Sequence, residues 1–330
     1  MNHTQIEETK HQSIIILILG LLAAFGPLSI DMYLPAFPHV AETLGVPLSQ
    51  VQLSLSSYFV GLASGQLFYG PLTDRIGRKW PLYIGLILYG VSSLICAVAP
   101  NIEILILARF LQALGACAGI VVSRAIVRDL YHHQQAARVF SLLMLIMGIA
   151  PILAPLIGGF VDAHYGWRTI FMLLSMVSFL CLLAIIQFLP ETHKPNPEIK
   201  AERLLRTYGQ ILKHRSFMLN TLTGALIQAG LFAYITGSPF VFMEYYGLPA
   251  DQYAWFFGSN AFGLIFFSQV NGKLLKRFSI DQILRTILPI IAVFGVLLAA
   301  AGLMKADLWI LIIPLFLFIA SLGMTFPNTT

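Results

Sequence analysis

The chain has 330 residues, 58% hydrophobic and only 11% charged, with a mean hydropathy of +0.80. A water-facing domain of this length carries about 25% charged residues, so most of this surface must face lipid, and a soluble enzyme is excluded. The net charge of +5 sits in short loops between apolar runs, where it orients a membrane protein rather than building a basic platform for nucleic acid.

A helix needs about 20 apolar residues to cross the hydrocarbon core. Ten runs qualify, at 13–38, 51–69, 81–98, 104–126, 139–160, 170–189, 217–242, 253–270, 283–303 and 308–327. Ahead of the first lie Glu7, Glu8 and Lys10, which is not the pattern of a cleaved signal peptide, so this run is read as a true span. Within it, Asp31 lies about seven residues before Pro38, roughly 10 Å below the surface at about 1.5 Å per residue. Of the fifteen acids it alone falls well inside a span. A carboxylate at that depth is costly and should face protein or a wet cavity. It reads either as a proton-coupling group or as a structural acid held by a permanent ion pair.

The turn after the second run reads Gly70-Pro71-Leu72-Thr73-Asp74-Arg75-Ile76-Gly77-Arg78-Lys79; Gly70 and Pro71 are expected to end the helix and Gly77 to permit a tight turn. The fourth run carries Arg109 about five residues in, at a depth similar to Asp31, and Arg124 nearer the other surface, where it reads as snorkelling. Asp31 and Arg109 are expected to face one central cavity and to be electrostatically coupled. After the sixth run comes the longest connection, 190–216, in which Leu204, Leu205, Tyr208, Ile211 and Leu212 recur at helical spacing. That stretch reads either as a helix on the membrane surface or as a flexible charged linker.

Lys and Arg accumulate in alternate connections: Arg75, Arg78 and Lys79; Arg128 and Arg138; Lys194 to Arg215; Lys273 to Arg285. The opposite loops hold only Arg168 and Lys305. The positive-inside bias places the N-terminus in the cytoplasm. Cys96, Cys117 and Cys181 lie in apolar runs as spectator thiols, and all eight histidines lie in tails, loops or span edges. Neither a metal site nor a catalytic nucleophile is expected.

Offsetting the sequence by 202 residues aligns 45–75 on 247–277 without a gap, with nine identities in 31 positions. Gly45, Pro47 and Gln50 fall on Gly247, Pro249 and Gln252; Ser57, Gly61 and Leu62 on Ser259, Gly263 and Leu264; Gly70, Leu72 and Arg75 on Gly272, Leu274 and Arg277. The second and eighth spans therefore read as parallel copies in paired six-helix halves, with a binding site between the halves. The first half is complete and the second has four of six expected spans, so the C-terminal half is expected to be incomplete.

The ten-residue turn from Gly70 to Lys79 resembles the signature loop of the major facilitator superfamily throughout. Leu28-Ser29-Ile30-Asp31-Met32-Tyr33-Leu34-Pro35-Ala36-Phe37-Pro38 is similar to the first-span motif of drug:proton antiporters. Arg109-Phe110-Leu111-Gln112-Ala113-Leu114-Gly115 resembles their fourth-span motif, whose arginine is implicated in proton coupling. The stretch from Gly148 to Gly159 is similar to the fifth-span antiporter motif, departing at Ala154. Together these resemble the bicyclomycin-resistance (Bcr/CflA) subfamily. The resemblance implies proton exchange at Asp31 and Arg109, and an inner-gate loop at Gly70, Asp74, Arg75, Gly77, Arg78 and Lys79, with Asp74 latching in part on an eleventh helix. It also implies a bend at Gly148, Pro151, Pro155, Gly158 and Gly159 that lets the halves rock.

Tyr33, Tyr58, Gln66, Gln228, Phe232 and Tyr234 are candidates for lining a cavity for neutral or amphipathic drug-sized compounds. The expectation is an all-α membrane protein of paired six-helix bundles, with ten transmembrane helices. It divides into an N-terminal bundle at 1–189, a cytoplasmic linker at 190–216 and a partial C-terminal bundle at 217–330. The expected activity is proton-coupled multidrug efflux across a bacterial inner membrane, with small drug-like molecules, protons and lipid as partners, no cofactor, no nucleic acid and a monomeric state. A proton-coupled carrier of a natural metabolite and a truncated, non-transporting protein are the other readings.

Overall fold

The computed structural model describes residues 3–193, 195, 209–275 and 277–329, and regular structure among them is helical. The chain forms two compact units, Met1–Leu204 and Leu205–Thr330. The first holds α1 (His3–Asp31), a 3-10 turn (Leu34–Ala36), α2 (Phe37–Leu44), α3 (Leu48–Ile76), α4 (Lys79–Ala97), α5 (Ile102–Leu130), α6 (His133–Tyr165) and α7 (Trp167–Phe188). The second holds α8 (Arg215–Pro239), which passes into a π turn (Phe240–Tyr245), then α9 (Ala250–Leu274), α10 (Ile280–Leu303) and α11 (Leu308–Thr329). Of the expected surface helix, Leu204, Leu205 and Tyr208 lie outside the described residues, while Ile211 and Leu212 sit in a short helical turn at 209–213.

Two boundaries differ from expectation. The first span is not one helix to Pro38: α1 stops at Asp31, and the chain continues through the 3-10 turn into α2. Pro35 and Pro38 lack the N–H groups that would extend α1, and each disfavours helical backbone before it. Conversely, α3 runs through Gly70 and Pro71 and ends at Gly77, whose φ of 92° stops it. A proline inside a helix forfeits one hydrogen bond, and Thr73, Asp74 and Arg75 still complete the last turn.

Among the described residues, eight segments are long and apolar enough to cross a membrane. Among the ten runs of the sequence, those of α3 and α9 are long enough but too polar in composition, with Gln52, Ser54, Ser57 and Gln66 on one and Ser259, Asn260, Ser268 and Gln269 on the other. These two helices are the repeated pair. Both start after a left-handed glycine and an extended proline: Gly45 at φ 65° before Pro47, and Gly247 at φ 67° before Pro249. Both also bury a matching glycine in a close crossing. A Cβ on Gly61 would lie 2.5 Å from the Phe110 carbonyl of α5, and one on Gly263 would lie 2.7 Å from the Phe316 ring of α11. Lipid tails are as apolar as leucine, so helices associate through such close backbone approaches and interhelical hydrogen bonds. In the first unit Ser57 donates to the Ile106 carbonyl, Ser175 to Gly90 and Ser178 to Leu86, at 2.8 to 2.9 Å. At about 0.6 kcal/mol each, these three bonds supplement close packing and do not replace it. In the first unit α5 is the central helix, packing on α3, α4 and α1, while α1 also packs on α6.

Candidate functional site

Asp31 is the last residue of α1 and is 4% exposed. Among the described residues no side chain hydrogen-bonds to its carboxyl or forms an ion pair with it. Its place at a helix C-terminus, where backbone carbonyls leave a partial negative charge, makes a second negative charge unfavourable. The break after Asp31 is tolerated at membrane depth because Tyr33, Leu34, Ala36 and Phe37 are all wholly buried.

Arg109 on α5 is 0% exposed. Its guanidinium lies 4.2 Å from the Tyr58 ring, 5.0 Å from Tyr33 and 5.6 Å from Phe171, so rings from α3, the α1 break and α7 enclose it. Cation–π contacts of this kind contribute about 2 kcal/mol each when desolvated. Nη2 donates to the Ser29 carbonyl at 3.0 Å and Nη1 donates to Gln112 Oε1. Arg109 Nε and Tyr58 Oη are buried without a hydrogen-bond partner, the hydroxyl lying near Ser29 without bonding to it. The structure thus places Arg109 and Asp31 in the same unit but does not join them in an ion pair. The exposed Arg124 stands apart from both.

The expected bend helix, α6, is continuous through Pro151 and Pro155. Gly158 lies against the Met32 backbone, where a Cβ would collide with the carbonyl group and Cα of Met32, whereas a Cβ on Gly159 would meet Pro35 at 3.7 Å, an ordinary contact. Gly148 is part-buried in the same helix. The residue following Asp31 is therefore seated directly on α6. At the far ends of these elements His39 Nδ1 and Asp162 Oδ1 meet at 2.8 Å.

The turn between α3 and α4 is a charge cluster. Arg78 is buried; it donates from Nε to Asp129 at 2.8 Å, and from Nη1 to Asp74 at 2.6 Å and to Thr73 at 3.0 Å. Asp74 and Arg75 are exposed, Lys79 is half-buried, and Gly70 lies within α3. Glu191, just past α7, accepts from the backbone N–H groups of Arg78, Lys79, Thr192 and His193 at 2.8 to 3.2 Å. It therefore caps the positive end of α4. Burial pushes the Glu191 carboxyl up, but the four N–H donors outweigh it and hold the group below its ordinary value of 4.5. Its contribution is complete above that value and is lost as pH falls through the lower value of the folded turn. Glu191→Ala is expected to raise the opening constant of the turn about fivefold, equivalent to about 1 kcal/mol after allowance for solvent. Hydrogen exchange at the Arg78 and Lys79 amides measures this.

The cavity candidates separate. Tyr33 and Tyr58 are fully buried, with their rings against the Arg109 guanidinium. Gln66 is exposed, Gln228 and Phe232 are part-buried, and the Tyr234 hydroxyl accepts from Asn260 Nδ2 at 2.9 Å while its ring stacks on Phe257. Sequence reasoning gave no role to Asp129, Glu191, Phe171, Tyr89 or Ser93; their partners lie 19 to 113 positions away along the chain.

Long apolar helices in two units with repeated elements, and a caged cation beside an unpaired carboxyl in one of them, define a polytopic membrane protein with charge in its interior. The chain belongs to the Major Facilitator Superfamily, whose family profile matches residues 19–330; it is a transporter and not an enzyme. It is 39% identical over 97% of its length, and 81% of the other chain, to the uncharacterized MFS-type transporter YdgK of Bacillus subtilis (strain 168). It is 32% identical to a bicyclomycin resistance protein homolog of Haemophilus influenzae, covering 92% of this chain and 77% of that one. It is 30% identical to multidrug resistance protein D of Escherichia coli (strain K12), covering 96% and 79%. The resemblance carried by the motifs is borne out by these relatives. Among solved structures, a D-xylose-proton symporter superposes with a TM-score of 0.74 at 15% identity, covering 97% of this chain and 82% of that one. A bacterial homologue of the human lysosomal transporter Spinster, inward-facing and unoccupied, gives 0.70 at 17%, covering 96% and 75%. At these identities the likeness shows the fold alone.

Proposed function

We propose that the protein exports drug-like small molecules in exchange for protons, by alternating access, across a bacterial cytoplasmic membrane with its N-terminus inside. The observation that carries this reading is Asp31: a buried carboxyl at a helix break, without a counter-ion among the described residues. Such a group is stable when protonated and costly when charged. It therefore takes up a proton readily and gives it up only when water or substrate reaches the break. The names of the bicyclomycin- and multidrug-resistance relatives support a drug-sized substrate. The proton gradient alone drives the cycle, and no cofactor is required.

The test uses inverted membrane vesicles from cells expressing the full chain, acidified inside and loaded with a pH-sensitive dye. Adding bicyclomycin or chloramphenicol is expected to release lumenal protons, because drug enters as protons leave. Vesicles that respond to neither drug but to amino acids or dipeptides would overturn the exporter reading. So would drug uptake that persists unchanged once the gradient is collapsed.

A further inference from the structure

Five buried side chains close a ring of hydrogen bonds across α1, α4 and α5. Arg109 Nη1 donates to Gln112 Oε1, and Gln112 Nε2 donates to Ser93 Oγ at 2.7 Å. Ser93 Oγ donates to the Tyr89 carbonyl at 2.7 Å. Ser29 Oγ spends its single proton on the Phe25 carbonyl at 2.6 Å, so the Tyr89 hydroxyl, 2.6 Å away, is the donor to Ser29. The Ser29 carbonyl in turn accepts from Arg109 Nη2 at 3.0 Å. Ser29, Tyr89, Ser93, Arg109 and Gln112 are each 0% exposed. In a buried site such a ring resists rearrangement, since breaking any one bond strands a polar group away from water.

We propose that Tyr89 and Ser93 on α4 are positioning residues that hold the Arg109 guanidinium off the Asp31 carboxyl, leaving the carboxyl free to take and release a proton. The inference rests on Asp31 as the proton site. Arg109 sits on α5 and Asp31 two residues beyond Ser29 on α1, yet the two form no ion pair. Nη1 and Nη2 each donate one N–H to the ring, and the rings of Tyr58, Tyr33 and Phe171 flank the guanidinium. The titratable groups its charge acts on are Tyr33 just past α1, Tyr58 on α3, and Tyr89 and Cys96 on α4; Asp31 acts in turn on Tyr58, whose ring the guanidinium touches, and from α7 the contact is the Phe171 ring. Among these Asp31 alone is a carboxyl. A guanidinium released from the α4 side has it as the anionic partner to move toward. Once an ion pair forms, the carboxyl holds its charge and accepts a proton only in more acid solution.

The test reads the proton directly. The full-length protein in lipid is titrated by infrared spectroscopy, and the band of the protonated carboxyl that is absent in Asp31→Asn is followed with pH. Tyr89→Phe removes only the hydroxyl, and Ser93→Ala removes the bonds to Gln112 and to the Tyr89 carbonyl; both are expected to move the midpoint of that band to lower pH by about one unit or more. Ser93→Thr, which restores the hydroxyl, is expected to return it to the wild-type position. An unchanged midpoint in both variants, or a shift to higher pH, would overturn the role of α4. Failure of the exporter reading appears elsewhere, as vesicles without drug-induced proton release, and leaves the infrared midpoints as an independent result.

Discussion

Asp31→Asn is expected to abolish drug-induced proton release in inverted vesicles while the protein stays folded and still binds drug. Asparagine has nearly the volume of the protonated carboxyl and cannot ionise, so the variant mimics one protonation state permanently. Asp31 has no counter-ion among the described residues and sits at the negative end of α1. No ion pair is lost, and thermal stability is expected to stay within about 1 kcal/mol of wild type or to rise. Drug exchange down its own gradient, which needs no proton step, is expected to persist. The informative measurement is therefore the ratio of coupled to uncoupled flux. If Asp31→Asn kept that ratio at the wild-type value, the proton site would have to lie elsewhere.

Arg109→Met is expected to separate fold from function in the opposite sense. The methionine roughly matches the length of the arginine stem and fills the space among Tyr33, Tyr58 and Phe171 without a charge. Burying an isolated cation costs several kcal/mol, which cation–π contacts and two hydrogen bonds only partly offset. Replacement of buried ionic groups by apolar ones of similar size is often neutral or stabilising, by about 1–4 kcal/mol, a gain offset here by the loss of a donor to Gln112 and to the Ser29 carbonyl. Coupled transport, by contrast, is expected to fall about 100-fold, equivalent to about 3 kcal/mol in the barrier. Arg109→Lys is expected to be no rescue, because an ammonium cannot bond Ser29 and Gln112 in the same plane while stacking on Tyr58. Thermal unfolding in detergent beside vesicle flux checks both halves. A large loss of stability in Arg109→Met would make Arg109 an element of the fold first.

Much of this was legible in the sequence because lipid imposes simple rules. Apolar runs must be helices, and an acid such as Asp31 in the middle of one is conspicuous without any structure. The repeat was legible too, since Gly45 and Gly247 meet the same backbone demand at φ 65° and 67°. What was hidden depends on helices that meet only after folding. Arg109 was visible as a cation at depth, but its enclosure by Tyr33, Tyr58 and Phe171 joins residues from three other segments, and no spacing records that. Glu191 lies 113 positions from Arg78, in a stretch that reads as an ordinary span end. Prolines misled in both directions. Pro71 reads as a stop although a helix tolerates it at the loss of one bond, while Pro38 reads as the far end of a span that has already broken at Asp31.

The seating of Gly158 on Met32 has a mechanical consequence. A contact between two main chains has no rotamers to absorb movement, so it has almost no compliance. Any tilt or roll of α6 is delivered undamped to the peptide next to Asp31, turning the carboxyl relative to a guanidinium fixed on α5. Lever and load are thus one joint. A methyl group at position 158 would collide with the Met32 main chain and force this joint apart, displacing the break beside Asp31 without adding or removing an ionisable group.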